Sequence, residues 1–181
     1  MTAIIIDGPD RCFKTTTIKL FKKELILRGK HIPSYKASDF SNLFTEQVEN
    51  KSELFKNRLR FCTTTEVDML KQLDFDVIFD RHYPSEYVYS SYYNRATDES
   101  LLKQVDKDLA AYGAKIFLLR RTSYTGWVDN LDDSIILEKI DQLYNDFAKW
   151  SSNKQIHHIF VDTMTESERI QHIYNLTFKN Y

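Results

Sequence analysis

Near the start of the chain, the run Asp7-Gly8-Pro9-Asp10-Arg11-Cys12-Phe13-Lys14-Thr15-Thr16 carries residue types that hold a polyphosphate. Against the pattern G-x-x-x-x-G-K-[ST], Gly8, Lys14 and Thr15 fall at the matching spacing, and Phe13 stands at the second glycine. Each type has a physical reason. Gly8 permits a tight reversal after a strand, so that backbone N–H groups converge on phosphate oxygens. Lys14 brings a mobile positive charge toward the β- and γ-phosphates, and Thr15 offers a hydroxyl to Mg²⁺. A helix starting at this point turns its positive dipole end toward the anion. Phe13 is a departure. Its side chain is expected to point away from the nucleotide, and a positive φ there costs about 1–2 kcal/mol. Cys12 reads as a small apolar filler, or as a thiol whose oxidation or alkylation blocks ATP binding.

A second group follows the apolar run Val77-Ile78-Phe79: Asp80-Arg81-His82, then Ser85 and Tyr89. A carboxylate at a strand's carboxyl end can hold Mg²⁺ directly or through water. The neighbouring guanidinium can clamp a phosphate with its planar fork. A strand-end ion pair is common by itself; beside a phosphate loop it reads as part of a site. His157-His158 is a histidine pair without a third ligand at metal-site spacing, and no function is assigned to it.

These groups need a scaffold that brings them to one edge. Ala3–Ile6, Val77–Phe79, Lys115–Leu119 and Ile156–Val161 are short apolar runs of the kind buried on both faces of a parallel sheet, and His31–Tyr35 is a weaker extended segment. Helical patterns separate them over Thr16–Arg28, Ser52–Leu73, Leu101–Ala111, Ser134–Trp150 and Ser167–Phe178. The first is expected to bury Ile18, Leu20, Phe21, Leu25 and Ile26. Gly29 is placed to end it, and Ser134 and Ser167 to cap the last two. Strands alternating with helices predict a doubly wound α/β sheet, with ligands at the carboxyl ends of the strands.

Composition bounds the remainder. At 181 residues with 42% hydrophobic content, one compact domain over 1–181 is expected, and disorder is excluded. A formal charge of -1 provides no global field for gripping duplex nucleic acid. Two cysteines form no disulfide framework, so a reduced, cytoplasmic compartment is expected. The N-terminal apolar run is too short for a signal peptide, and no run reaches the length of a membrane span.

The joint pattern, Gly8-Pro9-Asp10-Arg11 with Lys14-Thr15-Thr16, then Asp80-Arg81-His82 with Ser85 and Tyr89, resembles thymidylate kinase. More broadly, it resembles the nucleotide and deoxynucleoside kinases of the P-loop class over nearly the whole chain; phage and viral members share much of it. The resemblance implies a P-loop NTPase three-layer α/β/α fold with a central five-stranded parallel sheet and a short lid over approximately 120–134. It implies ATP as co-substrate, Mg²⁺ held through Thr15 and Asp80, and a homodimer. Gly8, Asp10, Arg11, Cys12, Phe13, Lys14, Thr15 and Thr16 would surround ATP, with Arg120 and Arg121 at the root of the lid and Trp127 within it.

By the same resemblance, Lys14, Arg11, Arg81 and Asp80 are the catalytic set, with Arg11 bridging donor and acceptor phosphates. Asp10, Arg81, Ser85 and Tyr89 would face the acceptor, Tyr89 beside the deoxyribose. Arg60, Arg58 and Phe55 on the helix before the Asp-Arg strand would read the base. Ser90 departs from the glutamine that many members carry after the tyrosine. The implied reaction is phosphoryl transfer from ATP to a deoxynucleoside monophosphate, foremost dTMP. A second reading makes the acceptor a deoxynucleoside or a 5-hydroxymethyl-pyrimidine, free or in DNA, and only there does nucleic acid become a partner. A third, resting on Phe13, is a nucleotide-binding protein without turnover.

Overall fold

The computed structural model describes residues 2–36, 67–73, 76–126 and 131–179. Five strands, β1 (Ala3–Asp7), β2 (Ser34–Lys36), β3 (Val77–Asp80), β4 (Lys115–Arg120) and β5 (Ile156–Phe160), form one sheet in the order β2-β3-β1-β4-β5. All four pairings are parallel. Parallel neighbours require crossovers, and five described helices lie in them: α1 (Lys14–Leu27), α2 (Val67–Leu73), α3 (Tyr83–Tyr92), α4 (Glu99–Tyr112) and α5 (Leu131–Trp150); a sixth, α6 (Glu166–Phe178), follows β5.

Strand alternation explains the layering. Ile4 and Ile6 of β1 join Phe117 and Leu119 of β4 in a core closed by Ile18, Phe21 and Leu25 of α1 and Ile170 and Ile173 of α6. Ala3 and Ile5 join Phe79, Ile116 and Leu118 on the other face, under Tyr83, Val88, Leu102, Val105 and Phe147. Successive side chains point to opposite faces and both faces are covered, so the central strands are apolar between their end residues. The result is a three-layer α/β/α arrangement.

Local differences from the sequence reading have local causes. Ile26 is 53% exposed, because the buried stripe of α1 runs through Thr17, Ile18, Phe21 and Leu25, and Ile26 lies about 100° around the helix from Leu25. Gly29 does follow α1 as expected, at φ 73, with its N–H and that of Lys30 closing on Ile26 and Leu25 carbonyls. Ser134 is buried inside α5, which starts earlier, at Leu131, within the stretch expected as lid. The cap of α6 is Thr165 rather than Ser167; its hydroxyl accepts from Glu168 N–H while the Glu168 carboxylate accepts from Thr165 N–H. Of the helix expected over Ser52–Leu73, α2 covers the described part.

Candidate functional site

The loop leaving β1 is shaped by contacts that few residue types tolerate. Gly8 has φ 139, and a Cβ built on it would lie 2.1 Å from the Leu119 carbonyl oxygen of β4. Only glycine allows the chain to pass so close to its neighbouring strand. Arg11 and Phe13 both take left-handed backbone conformations, φ 64 and φ 54. The Phe13 carbonyl accepts the first helical bond of α1, from Thr17 N–H at 2.8 Å, so the helix N-terminus opens onto the loop. Lys14, 8% exposed, donates to the Pro9 carbonyl and lies 3.7 Å from the Asp10 carboxylate. Burial lowers its pKa, and the Arg81 charge lowers it further.

Asp80 and Arg81 end β3 beside this loop, because the register pairs Asp80 with Ile6. The Thr15 hydroxyl donates to Asp80 Oδ2 at 3.5 Å. Burial raises the Asp80 carboxyl pKa, against the charges of Lys36, Arg81 and Lys14. A hydroxyl and a carboxylate this close are the hard oxygen donors that suit Mg²⁺, which takes one or two protein ligands and completes its shell with water and phosphate. Thr15 and Asp80 therefore fit the ion. Among the described residues, no cluster of three or more His, Cys, Asp or Glu offers an alternative metal site.

Arg81, at φ 66, turns the chain from β3 into α3 and projects its guanidinium across the loop. It forms an ion pair with Asp10 and donates to Tyr89 Oη at 3.3 Å and Ser85 Oγ at 3.5 Å. Burial alone would lower its pKa, but Asp7, Tyr144 and Tyr89 carry it upward, so it stays charged.

Asp7 was not singled out in the sequence, yet it holds these parts together. Its fully buried carboxylate accepts from Gly8 N–H (2.8 Å), His82 N–H (3.1 Å), Ser85 N–H (3.1 Å), Ser85 Oγ (2.7 Å) and Tyr144 Oη (2.8 Å). His82 gives α3 no side-chain cap of its own. A carboxylate from β1 does so instead, and it ties the β1–α1 loop to the Arg81 turn. A lone buried Asp at a strand end gives no sequence sign of this. Lys36 was also missed: paired with Asp80 across the β2–β3 register, it adds a cation at the sheet edge.

These residues enclose a cavity of about 470 Å³. Its walls carry five basic residues, Arg11, Lys14, Lys36, Arg81 and Arg121, against two carboxylates, Asp10 and Asp80, with Thr15 and Thr16 between them. A chain with formal charge -1 thus concentrates an excess of three positive charges at one cleft.

Other expected site residues are placed differently. Arg120 does not line the cavity; its guanidinium is bidentate on Asp141 and also contacts Asn145 and His158. The reason is strand alternation: as the last residue of β4, Arg120 points toward α5, while Arg121 follows the strand. Arg121 itself donates through Nε (3.0 Å) and Nη2 (2.8 Å) to the Arg11 carbonyl, and so fixes the loop. Ser85 is buried and absent from the cavity wall, its Oγ donating to Asp7 at 2.7 Å and accepting from Arg81 at 3.5 Å. Ser90 donates to the Tyr87 carbonyl within α3. Phe13, expected to point away, is on the cavity wall with Arg121. Cys12 is fully buried 3.4 Å from Tyr124 Oη, and burial raises its thiol pKa, so the filler reading fits this geometry. Phe55, Arg58, Arg60 and Trp127 lie outside the described residues. Of the expected lid, residues 121–126 are held down: Thr122 N–H and Oγ1 donate to Asp162, and Tyr124 Oη donates to Asp141 at 3.0 Å.

By sequence, the chain matches no protein-family profile and no curated protein. Solved structures do resemble it. YorR from Bacillus subtilis, in complex with phosphorylated GDP, is 22% identical, with a TM-score of 0.67 over 96% of this chain and 94% of that one. Deoxyadenosine kinase from M. mycoides, with products dCMP and a flexible dCDP bound, is 16% identical, with a TM-score of 0.55 over 96% of each chain. At such identities the likeness speaks for the fold, a three-layer α/β/α arrangement with five parallel strands between two helical layers.

Proposed function

We propose that this chain transfers the γ-phosphoryl group of ATP to a deoxynucleoside monophosphate, foremost dTMP. The observation that carries this reading is the cationic cavity in which the phosphate loop and the Asp10–Arg81 pair face each other. Lys14 and the N-terminus of α1 would hold the donor phosphates. Thr15 and Asp80 would hold Mg²⁺, which when bound neutralises charge on the phosphates. Arg81 would take the acceptor phosphate, exchanging its bond to Asp10 for one to the substrate. Arg11, its backbone pinned by Arg121, would stand between donor and acceptor. Tyr89, hydrogen-bonded to Arg81, would lie against the sugar.

In the transfer, an oxygen of the acceptor phosphate forms a bond to the γ-phosphorus. The bond from that phosphorus to the β–γ bridging oxygen breaks, and ADP leaves with the electron pair. Reactions of this kind need positioning and charge neutralisation more than a general base, and the cavity offers both. The likeness to the two solved structures, one with a phosphorylated guanine nucleotide and one a deoxynucleoside kinase with deoxycytidine nucleotides bound, supports a nucleotide or deoxynucleoside as acceptor.

The test is an acceptor panel with MgATP: dTMP, dUMP, dCMP, dGMP, thymidine and hydroxymethyluracil-containing DNA. ADP formation dependent on dTMP is expected. Turnover with thymidine or DNA alone would replace the acceptor. Measurable ATP binding without turnover on any acceptor would refute catalysis.

A further inference from the structure

Phe13 stands where the phosphate-loop pattern has glycine, and it holds a backbone conformation that glycine would adopt without strain. Something else must favour the ring. It is 41% exposed and lines the same cavity as Lys14, its neighbour in sequence. Two guanidinium groups approach it. Arg121, from the segment after β4, has Cζ 4.9 Å from the ring centroid, and Arg169, from the first turn of α6, has Cζ 5.9 Å from it. Arg121 is immobilised by its two bonds to the Arg11 carbonyl. Arg169 is 1% exposed, its Nε and Nη2 have no hydrogen-bond partner among the described residues, and the electron-rich ring adds to the Glu166 charge in compensating that buried cation. The ring is thereby fixed where the carboxyl ends of β4 and β5 converge on the loop, the region in which parallel α/β sheets take ligands.

We propose that Phe13 is the stacking platform for the nucleobase of the donor nucleotide, whose phosphates lie on Lys14 and the start of α1. The proposal rests on the phosphate-loop reading given above. Stacking on a phenyl ring engages the π-face of a base and none of its edge groups, so Phe13 contributes similarly to ATP, GTP and CTP. A loop glycine is exchanged for an aromatic anchor, and the strain at φ 54 is offset by contact with the base and with two cations.

The test compares binding of MgATP, MgGTP and Mg-tripolyphosphate to the full chain, its Phe13→Leu variant and its Phe13→Trp variant. Tripolyphosphate carries the phosphates without a base. Phe13→Leu is expected to weaken ATP and GTP on the order of tenfold while leaving tripolyphosphate unchanged. In Phe13→Trp, ATP is expected to quench the added tryptophan emission, over the background of Trp127 and Trp150, and tripolyphosphate is not. Equal changes for ATP and tripolyphosphate, in affinity or in emission, would overturn the proposal. Absence of tripolyphosphate binding to the unaltered chain would instead overturn the phosphate-loop reading beneath it.

Discussion

Replacing Asp7 by Asn tests how the site is held together. The substitution preserves size and removes the charge and one acceptor position. Oδ1 accepts from Gly8 N–H, Ser85 Oγ and Tyr144 Oη, and Oδ2 accepts from the N–H groups of His82 and Ser85. An asparagine oxygen placed at Oδ1 turns its NH₂ against two backbone donors. In the flipped orientation the two hydroxyls can rotate to accept, and only Gly8 N–H is left unsatisfied. That cheaper arrangement costs about 1–3 kcal/mol for the buried donor, and more because the bonds that remain lose charge assistance. A total of about 2–4 kcal/mol follows, or roughly 4–16 °C in Tm for a domain of this size. Thermal and urea unfolding of Asp7→Asn beside Ser85→Ala measure it, with the serine variant, which keeps both bonds to Oδ2, expected to lose about 1 kcal/mol. An Asp7→Asn variant within about 0.5 kcal/mol of the parent would refute the view that this carboxylate is the cap of α3.

Three further outcomes follow from single contacts. Gly8→Ala places a methyl 2.1 Å from a backbone carbonyl at φ 139, and should cost about 3 kcal/mol or more in unfolding free energy while displacing the loop. Arg120→Ala strands the buried Asp141 carboxylate; since Tyr124 still donates to it, a loss of about 3 kcal/mol is expected in urea unfolding, with MgATP binding by the folded protein retained. His157 and His158 have pKa values lowered by burial, and by Lys115 and Arg120 respectively, so the folded state favours their neutral forms. That stability is present above the ordinary value of 6.5 and is lost as pH falls below it. Tm should therefore drop between about pH 7 and pH 5, and His158→Gln should flatten that slope.

The sheet and the place of the β1–α1 loop were legible because both are written locally. Strands buried on two faces read as apolar runs, and Gly8, Lys14 and Thr15 keep their spacing. The Asp80–Arg81 pair was legible because it directly follows such a run. What escaped depends on contacts between residues distant in sequence. Asp7 meets Ser85 and Tyr144 across 78 and 137 positions, and Arg120 meets Asp141 and His158 across 21 and 38. Two adjacent arginines look equivalent in a string, yet strand geometry sends Arg120 into an ion pair and Arg121 onto the loop. Phe13 looked like a defect in the motif, because its counterparts Arg121 and Arg169 lie 108 and 156 residues further on.

The proposed reaction moves a phosphoryl group from a donor on Lys14 to an acceptor on Arg81. Its most direct test is a single-turnover reaction with ATP labelled at the γ-phosphate, Mg²⁺ and dTMP, with the products separated. Label is expected in dTDP, and is expected to be lost in both Lys14→Ala and Arg81→Ala. Label appearing only as inorganic phosphate, at a rate indifferent to dTMP and to the Arg81 substitution, would contradict it.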